Sequence, residues 1–317
     1  MSDASTTSVL ILAREDRLAC RAWIQKHSKS FFLSSLLLPA RVRQAAWALY
    51  AFCRRADDAV DETRTHGLEQ VAQLRLRLTR VYRGVADDHP IDRAFSKVVE
   101  AHAIPEALPA ALLDGMEMDA RDQVYETDDD LFLYCFRVAA TVGLMMTKVM
   151  GVADDRAYYR AADLGIAMQL TNIARDIGED AARGRVYLPR TLCESVGLQK
   201  ATLLNARAAT APTKAAVKQL LARADAHYRA ADGGIPMLPR SCRLAIASSR
   251  QIYSAIGRAI AKNDHDSVRS RAYVSLSGKL VLVGRALPAV FSTKRPDTAG
   301  PADSSLAPLL RSVGLPA

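Results

Sequence analysis

Aromatic residues and alternating β-type segments are scarce in this chain of 317 residues. Only 6% of the residues are aromatic while 50% are hydrophobic, and β-branched runs with strict alternation are hard to find. This composition excludes a sandwich or barrel of short amphipathic strands. Proline is missing from residues 40–88, 110–188 and 241–287, which leaves room for long helices. We therefore predict an all-α, single-domain helical bundle.

Cysteine is too rare and too irregularly spaced for a disulfide framework or a zinc site. The chain has an odd number of cysteines, which are Cys20, Cys53, Cys135, Cys193 and Cys242. None of their spacings matches a metal-ligand motif. We expect reduced, mostly buried thiols and hence a cytoplasmic protein.

Long uncharged apolar runs are absent as well. The longest apolar stretch, VAATVGLMMTKVMGVA, is interrupted by Lys148 and falls short of the ~18 residues of a membrane span. The N-terminus has an acidic residue early and makes a poor signal peptide. We expect a soluble protein, or one that touches a membrane only at its surface. The segment Lys279–Phe291 mixes basic and apolar residues as an interfacial segment does, with a last core helix as the alternative.

The formal net charge of +9 is distributed unevenly along the chain. Residues 1–180 carry 22 basic and 27 acidic side chains, a net charge of −5, whereas residues 181–317 carry 21 and 7, a net charge of +14. No nucleic-acid-binding motif of known spacing occurs and the basic residues are scattered, so we expect no nucleic-acid partner. An acidic part that holds cations and a basic part suit a ligand with a diphosphate group.

An amide and two carboxylates follow one another at intervals of four in the segment NIARDIGEDAARGRVYLP. Asn172, Asp176 and Asp180 would therefore lie on one face of a helix, with Gln169 one turn earlier. Like charges at this spacing repel, and a hard cation such as Mg²⁺, which prefers oxygen ligands, removes the repulsion. A solvated acidic face is the alternative for this row by itself. Gly184 is placed to end the helix as a C-cap glycine.

A second row of similar chemistry lies earlier in the chain, in the segment YAFCRRADDAVDE. It combines an aromatic hydroxyl, a guanidinium and two carboxylates, namely Tyr50, Arg54, Asp57 and Asp61. Asp58 and Glu62 fall off the strict row, so we expect them to face solvent or an outer shell. Two such rows predict two helices that face each other across a cavity, with cations and a diphosphate between them.

Six motifs, in this order, resemble those of the squalene/phytoene synthase family of head-to-head prenyl-condensing enzymes. They are HSKSFFLSSLLLP, YAFCRRADDAVDE, DGMEMDA, YCFRVAATVGLMM, QLTNIARDIGEDAARGRVYLP and NDHDSVRSRAYVSLSGK. The resemblance runs from about Trp23 to Leu287 and implies an isoprenoid synthase type of bundle with a central cavity. We accordingly expect an N-terminal extension over residues 1–20, a catalytic domain over 21–291 and a tail over 292–317, whose composition predicts disorder.

The resemblance implies a prenyltransferase of carotenoid biosynthesis. It would join two molecules of geranylgeranyl diphosphate head to head, through prephytoene diphosphate, to phytoene. Mg²⁺, or Mn²⁺ in its place, would bind at the acidic rows, and no nicotinamide cofactor would be needed. The alternatives are an enzyme that makes presqualene or dehydrosqualene products from farnesyl diphosphate, and a catalytically silent helical assembly factor. We expect a monomer, with peripheral membrane contact as an option.

The resemblance also assigns roles to individual residues. The metal ligands would be Asp57, Asp61, Asn172, Asp176 and Asp180. The catalytic residues would be Tyr50, Arg54, Asp57, Asp61, Asp176 and Asp180. The substrate would be bound by His27, Ser28, Lys29, Ser30, Tyr50, Arg54, Gln169, Arg175, Tyr253, Arg271 and Lys279.

Some of these residues also have plainer interpretations that need no ligand. Ser28 is placed to be a helix N-cap. Arg175 could form a surface salt bridge with Glu179, one turn later. Arg271 and Lys279, eight residues apart, would share one helical face as solvated charges.

An apolar stripe in the fourth motif would line the cavity for the isoprenoid chain, although such a stripe is more often plain core. Its members are Tyr134, Val138, Thr141, Val142 and Met145. Small residues favour the twenty-carbon substrate over the fifteen-carbon one. Ser35 stands one turn after Phe31, where a bulky aromatic would shorten the cavity, and Ala139 and Gly143 leave space in the same way.

Overall fold

The structure is a computed structural model and describes residues 12–61, 66–291 and 302–316. The side chains of Asp61 and of residues 302–304 are outside the description, as are Glu62 and the rest of the two gaps. Within these ranges the chain is helical and contains no β-strand. The expectation of an all-α bundle is therefore confirmed.

Fifteen α-helices follow one another in the described ranges. They are α1 (Arg14–His27), α2 (Lys29–Ser35), α3 (Ala40–Asp61), α4 (Gly67–Tyr82), α5 (Pro90–Ala101), α6 (Ala107–Ala120), α7 (Asp128–Cys135), α8 (Thr141–Met150), α9 (Arg156–Ala182), α10 (Arg190–Ser195), α11 (Lys200–Leu204), α12 (Ala211–Asp232), α13 (Arg240–Lys262), α14 (Leu276–Ala286) and α15 (Ala302–Ser312). A π-helical segment (Phe136–Ala140) joins α7 to α8, and 3₁₀ turns lie at Ile235–Met237 and Leu287–Phe291.

The longest helix, α9, lies in the centre of the bundle. It packs against α12, α13, α8 and the π segment, while α3 packs against α1, α4, α5 and α8. Buried apolar residues from these helices form one large core. Because α3 and α9 each also turn a polar side toward the same cavity, the two acidic rows predicted from the sequence come to face one space.

The stretch Asp128–Met150, which comprises α7, the π segment and α8, is long and apolar enough to cross a membrane. Half of its most apolar window is buried inside the protein, and α6 and α9 pack against it. A helix whose apolar side is covered by protein meets this criterion as a core element of the bundle. It is the one such stretch in the described part of the chain.

Helices are found across one expected boundary and within the expected tail. The boundary between residues 20 and 21 falls inside α1, whose Cys20 and Ile24 are buried in the core. The tail was expected to be disordered, yet α15 forms within it and packs on α9. Leu306, Leu310 and Val313 recur at helical spacing and are buried, and this stripe outweighs the Pro- and Ser-rich composition around it.

Candidate active site

A cavity of about 1200 Å³ lies between α3, α8, α9 and α13. This volume exceeds the range of roughly 300–1,000 Å³ that is usual for small-molecule sites. At one end the side chains of Arg54, Asp57 and Arg271 are 39%, 44% and 51% exposed, so this end opens to solvent. The other end is closed by buried residues such as Met150, Ala157 and Leu238. The result is a deep apolar space with a polar mouth.

The row on α9 lies in the wall of this mouth, as predicted. Gln169, Asn172, Asp176 and Asp180 all line the cavity. The amide nitrogen of Asn172 donates to Gln169 Oε1 at 3.2 Å, whereas its buried oxygen, Oδ1, has no hydrogen-bond partner. An orphaned acceptor oxygen beside carboxylates is what a cation ligand looks like before the cation is bound.

Asp176 is enclosed by two guanidinium groups. Arg175 donates from Nε to Asp176 Oδ1 at 2.8 Å and from Nη2 to Oδ2 at 2.5 Å. Arg271 donates from Nε to the same Oδ1 at 2.7 Å. Burial would raise the pKa of Asp176, but the two arginines lower it. Arg175 therefore pairs with its neighbour Asp176, so the predicted alternative of a surface pair with Glu179 is wrong.

Asp180 lies one turn beyond Asp176, and the charges of Arg183 and Arg185 offset its burial only in part. Burial, and secondly the charge of Asp176, raise its pKa from 3.8 to about 7. The helix then stops as the sequence predicts: Gly184 has φ +77°. Its N–H donates to Ala181 O at 2.9 Å, and the N–H of Arg185 donates to Asp180 O at 2.8 Å. These two bonds form a Schellman motif, which turns Arg185 back toward the cavity.

The row on α3 faces the α9 row from the opposite wall. Tyr50, Arg54 and Asp57 line the cavity, and Arg54 donates to Asp57 Oδ2 at 3.0 Å. Asp58 lines the cavity too and lies 2.6 Å from Arg54 Nη2, so the expectation that it faces solvent is wrong, while the alternative of an outer shell stays a prediction. Burial raises the pKa of Tyr50 to about 12, so its phenol is neutral. The side chain of Asp61 is outside the described residues, and its role as a ligand stays a prediction.

The HSKS motif forms the turn between α1 and α2 beside the α3 row. Ser28 caps α2 by accepting a hydrogen bond from the N–H of Phe31 at 3.3 Å, which confirms the N-cap interpretation. His27, Ser28, Lys29 and Ser30 all line the cavity. His27 Nδ1 lies 3.6 Å from Asp58 Oδ2, and burial lowers the pKa of the imidazole.

Tyr253, Arg271 and Lys279 lie on three different parts of the structure. Tyr253, on α13, is buried in the cavity wall with its ring centroid 5.1 Å from that of Phe31. Arg271 lies in the loop between α13 and α14, and Lys279 lies on α14, so the shared helical face was wrong. Lys279 is not among the lining residues, although burial, and secondly the charge of Lys29 at the cavity, lowers its pKa.

The apolar lining of the α7–α8 stretch differs from the predicted stripe after Val138. Tyr134, Val138 and Val142 line the cavity, but Thr141 and Met145 are fully buried in the core. The π segment inserts extra residues into a turn and so shifts the helical phase, which no regular spacing anticipates. Ala139 and Gly143 do line the cavity.

The small residues proposed to make room also have packing roles. Ser35 donates to Phe32 O at 2.7 Å and accepts from Trp47 Nε1 at 2.8 Å. A Cβ on Gly143 would lie 3.0 Å from Ala161 O, so this glycine lets α8 approach α9 closely. Their size alone therefore does not fix the length of the substrate.

Several lining residues were not predicted. Asp119, in the DGMEMDA motif, accepts hydrogen bonds from Tyr134 at 2.9 Å and from Tyr187 at 2.7 Å, and its charge contributes to the raised pKa of Asp180. Arg183 and Arg185 line the mouth just after α9. The DGMEMDA motif is visible in the sequence, but only the fold shows that Asp119 lies near the α9 row.

The polar end offers side-chain oxygen atoms of the type that bind a divalent metal together with the oxygens of a ligand. Among the side chains described, no three His, Cys, Asp or Glu groups form a metal cluster by themselves. The orphaned oxygen of Asn172 and the raised pKa of Asp180 nevertheless fit a hard cation. Mg²⁺ commonly takes one or two carboxylates and completes its shell with phosphate oxygens and water.

The chain has the isoprenoid synthase fold, an all-α bundle around a deep cavity. Its carboxylates and guanidiniums lie at the mouth of that cavity. The sequence model of the family described as squalene/phytoene synthase matches residues 24–278. The chain belongs to this family.

Relatives of known name are similar over most of their length. The chain is 45% identical to the phytoene synthase of Cereibacter sphaeroides, over 86% of this chain and 80% of that one. It is 42% identical to the phytoene synthase of Rhodobacter capsulatus, over 89% and 84%. Among solved structures, a dehydrosqualene synthase in complex with ligand superposes with a TM-score of 0.79 at 32% identity, over 87% of this chain and 96% of that one.

The stability of the protein without metal should depend on Asp180. A raised carboxyl pKa means that the fold favours the neutral form of Asp180. The stability that the neutral group adds to the fold is complete below pH 3.8 and is lost as the pH rises through about 7. Asp180→Asn should therefore raise the thermal unfolding temperature above that of wild type at pH 8 in EDTA. The difference should shrink toward pH 4. Glu179→Gln, its half-exposed neighbour, is the control, and an equal difference at both pH values would contradict the assignment.

Proposed function

We propose that this chain joins two molecules of geranylgeranyl diphosphate head to head to form phytoene. The observation that carries the proposal is the pairing of two polar rows, on α3 and α9, at the open end of an apolar cavity of about 1200 Å³. The rows suit two charged head groups and the cavity suits two long hydrocarbon tails. Similarity to the phytoene synthases of Cereibacter sphaeroides and Rhodobacter capsulatus supports this choice of reaction.

Asp57, Asp61, Asn172, Asp176 and Asp180 hold the metal in this proposal. Mg²⁺, or Mn²⁺ in its place, supplies Lewis-acid charge that stabilises the leaving diphosphate. Arg54, Arg175 and Arg271 already lie on the carboxylates of the two rows. When a diphosphate and its cations neutralise these carboxylates, the guanidiniums are placed to donate bidentate hydrogen bonds to phosphate oxygens instead.

The deeper walls protect the carbocations that form when the diphosphate leaves. The double bond of the second substrate attacks the first allylic cation, and loss of a proton gives a cyclopropyl diphosphate. That compound ionises again, rearranges and loses a second proton to give the hydrocarbon. The lining of Val138, Val142 and Met168 keeps water away from the cations. Because Tyr50 is a neutral phenol, the released diphosphate is the stronger base in the cavity.

The length of the substrate is the finer part of the proposal. A dehydrosqualene synthase shares the fold, and farnesyl diphosphate remains the alternative substrate. The twenty-carbon choice is favoured by the higher identity to phytoene synthases and by the small lining residues Ser35 and Ala139. A silent assembly factor is disfavoured because the described acidic side chains keep their places at the cavity.

The hydrocarbon product of the purified protein tests the reaction. With Mg²⁺ and geranylgeranyl diphosphate we expect a forty-carbon hydrocarbon, and none in EDTA. Loss of an outer-shell partner costs roughly 10–100-fold in metal sites, so Asp57→Asn and Asp176→Asn should each lower turnover by at least about a hundredfold. Glu100→Gln, at an exposed site of α5, should stay near wild type. A purely thirty-carbon product from farnesyl diphosphate, or near-normal turnover in Asp176→Asn, would contradict the proposal.

We also propose that the enzyme is a cytoplasmic monomer that binds anionic membranes through the surface of α14. Tyr273, Leu276 and Phe291 on this surface are 81%, 67% and 80% exposed. Residues 267–291 contain four basic side chains and no acidic one. An apolar ridge with basic flanks suits a negatively charged lipid surface, where an apolar substrate and product would also reside.

Flotation with phosphatidylserine-containing liposomes tests the membrane contact. Wild type should float at low salt and less at high salt, because screening weakens the basic contribution. The double variant Leu276→Ser/Leu280→Ser should float less than wild type at both salts. Leu76→Ser, on an exposed site of α4, is the matched control. Absence of lipid binding by wild type at either salt would end the proposal.

A further inference from the structure

A charged cluster lies at the closed end of the cavity, far from the acidic rows. Arg160, near the start of α9, lines the cavity beside Ala157, Ala161 and Ile235. Its side chain is only 10% exposed. Twelve residues separate Arg160 from Asn172 on the same helix, which places it about 18 Å deeper along the axis. No step of the proposed reaction reaches this depth.

The guanidinium of Arg160 is held by a carboxylate that has no contact with solvent. Arg160 Nη1 donates to Asp163 Oδ2 at 3.2 Å, and Asp163 is 0% exposed. The other carboxylate oxygen, Oδ1, lies 2.8 Å from Nδ1 of His227 on α12. The ring of Phe132 packs edge-on against His227. The cluster thus ties α9 to α12 behind the cavity wall.

The stem of Arg160 is fixed as firmly as its head group. A Cβ built on Gly234, in the turn after α12, would lie 2.5 Å from Arg160 Cβ and 3.2 Å from its Cγ. The turn therefore lies directly against the stem of Arg160 on this side. A side chain clamped at both ends acts as a rigid part of the cavity surface.

A charged end wall has a distinct effect on a hydrocarbon tail. A chain long enough to reach Arg160 would press apolar surface against a guanidinium from which water is excluded, and such contact is unfavourable. A hydrocarbon also offers no group that Arg160 could bind. We propose that Arg160, held by Asp163, sets the longest isoprenoid chain that the cavity accepts. This inference rests on the proposed function, since it assumes that the tails point away from the acidic rows.

The test compares diphosphates of fifteen, twenty and twenty-five carbons. The double variant Arg160→Ala/Asp163→Asn removes the wall together with its buried charge partner, so that no carboxylate is left unpaired by the change. We expect the kcat/KM ratio of the twenty-five-carbon to the twenty-carbon substrate to rise at least about tenfold, because one methylene in an apolar pocket is already worth roughly 10–200-fold. The single variant Arg160→Leu, in which Asp163 keeps His227, should shift the ratio in the same direction.

Two controls separate an end wall from a merely structural ion pair. Arg160→Lys keeps a long cationic side chain and should retain the wild-type ratio. Arg156→Ala removes an arginine one turn earlier that pairs with Asp154 at the surface, and should leave the ratio unchanged. Thermal unfolding followed by circular dichroism identifies which variants are folded. An unchanged ratio in the folded double variant or in folded Arg160→Leu would overturn the inference.

The inference and the proposed function fail in different ways. If wild type prefers farnesyl diphosphate, the kcat/KM ratio is taken instead between the twenty-carbon and the fifteen-carbon substrates. The test of Arg160 therefore remains defined in either case. Calorimetric binding of the unreactive thiodiphosphate analogues gives the corresponding ratio of dissociation constants without any turnover, and we expect it to shift in the same direction. Wild type that forms no forty-carbon product contradicts the proposed function alone. A wild-type product of forty carbons with an unchanged ratio in the variants contradicts the end wall alone.

Discussion

Two carboxylates one turn apart on α9 repel each other in a wall that is largely shielded from water. Asp176 is compensated by hydrogen bonds from Arg175 and Arg271. At Asp180, burial and the charge of Asp176 raise the pKa to about 7 against the opposing charges of Arg183 and Arg185. Such an arrangement lowers stability by itself, and in the proposed function it would become favourable when cations bind between the rows. Three further features lie at the same polar mouth. They are Arg54, the loop that carries Arg271 and the C-terminal end of α9.

The apolar depth of the bundle complements the mouth. The walls of α8, α9 and α13 enclose a space that suits a hydrocarbon, because many of its lining residues are apolar and Arg160 lies at its far end. A head group fixed at one end then orients the tail toward the other. Chemistry that passes through carbocations needs this division, since the charge must be stabilised at the mouth while water is excluded below it.

Local features of the site could be predicted from the sequence, and features set by distant contacts could not. The row from Asn172 to Asp180 and the Schellman stop at Gly184 follow from helical spacing and glycine geometry. The side chains that face the cavity after Val138 could not be predicted. The π segment rotates the following helix relative to a regular α-helix, and no residue pattern signals this. The eight-residue spacing of Arg271 and Lys279 predicts one helical face for both. The turn at Asp266, whose carboxylate accepts from the N–H groups of Val268 and Arg269, interrupts that helix instead.

The same distinction holds for the residues that sequence reasoning missed. Asp119 and Arg160 acquire their roles only when α6 and the start of α9 are brought to the cavity, and neither belongs to a row of like residues. The C-terminal helix was missed for another reason. Its few leucines form a short apolar stripe, and the helix packs on α9 of the same chain. The local sequence does not show that this packing surface exists.

The central claim is that cations shared between the two rows hold the diphosphate of the substrate. Calorimetric titration of wild type with geranylgeranyl thiodiphosphate, in Mg²⁺ and again in EDTA, tests it without turnover. The account predicts binding in Mg²⁺ that weakens at least about tenfold in EDTA, since metal-bridged phosphate contacts are lost. Equal affinity in the two buffers would contradict it, because the diphosphate would then be held by the arginines alone.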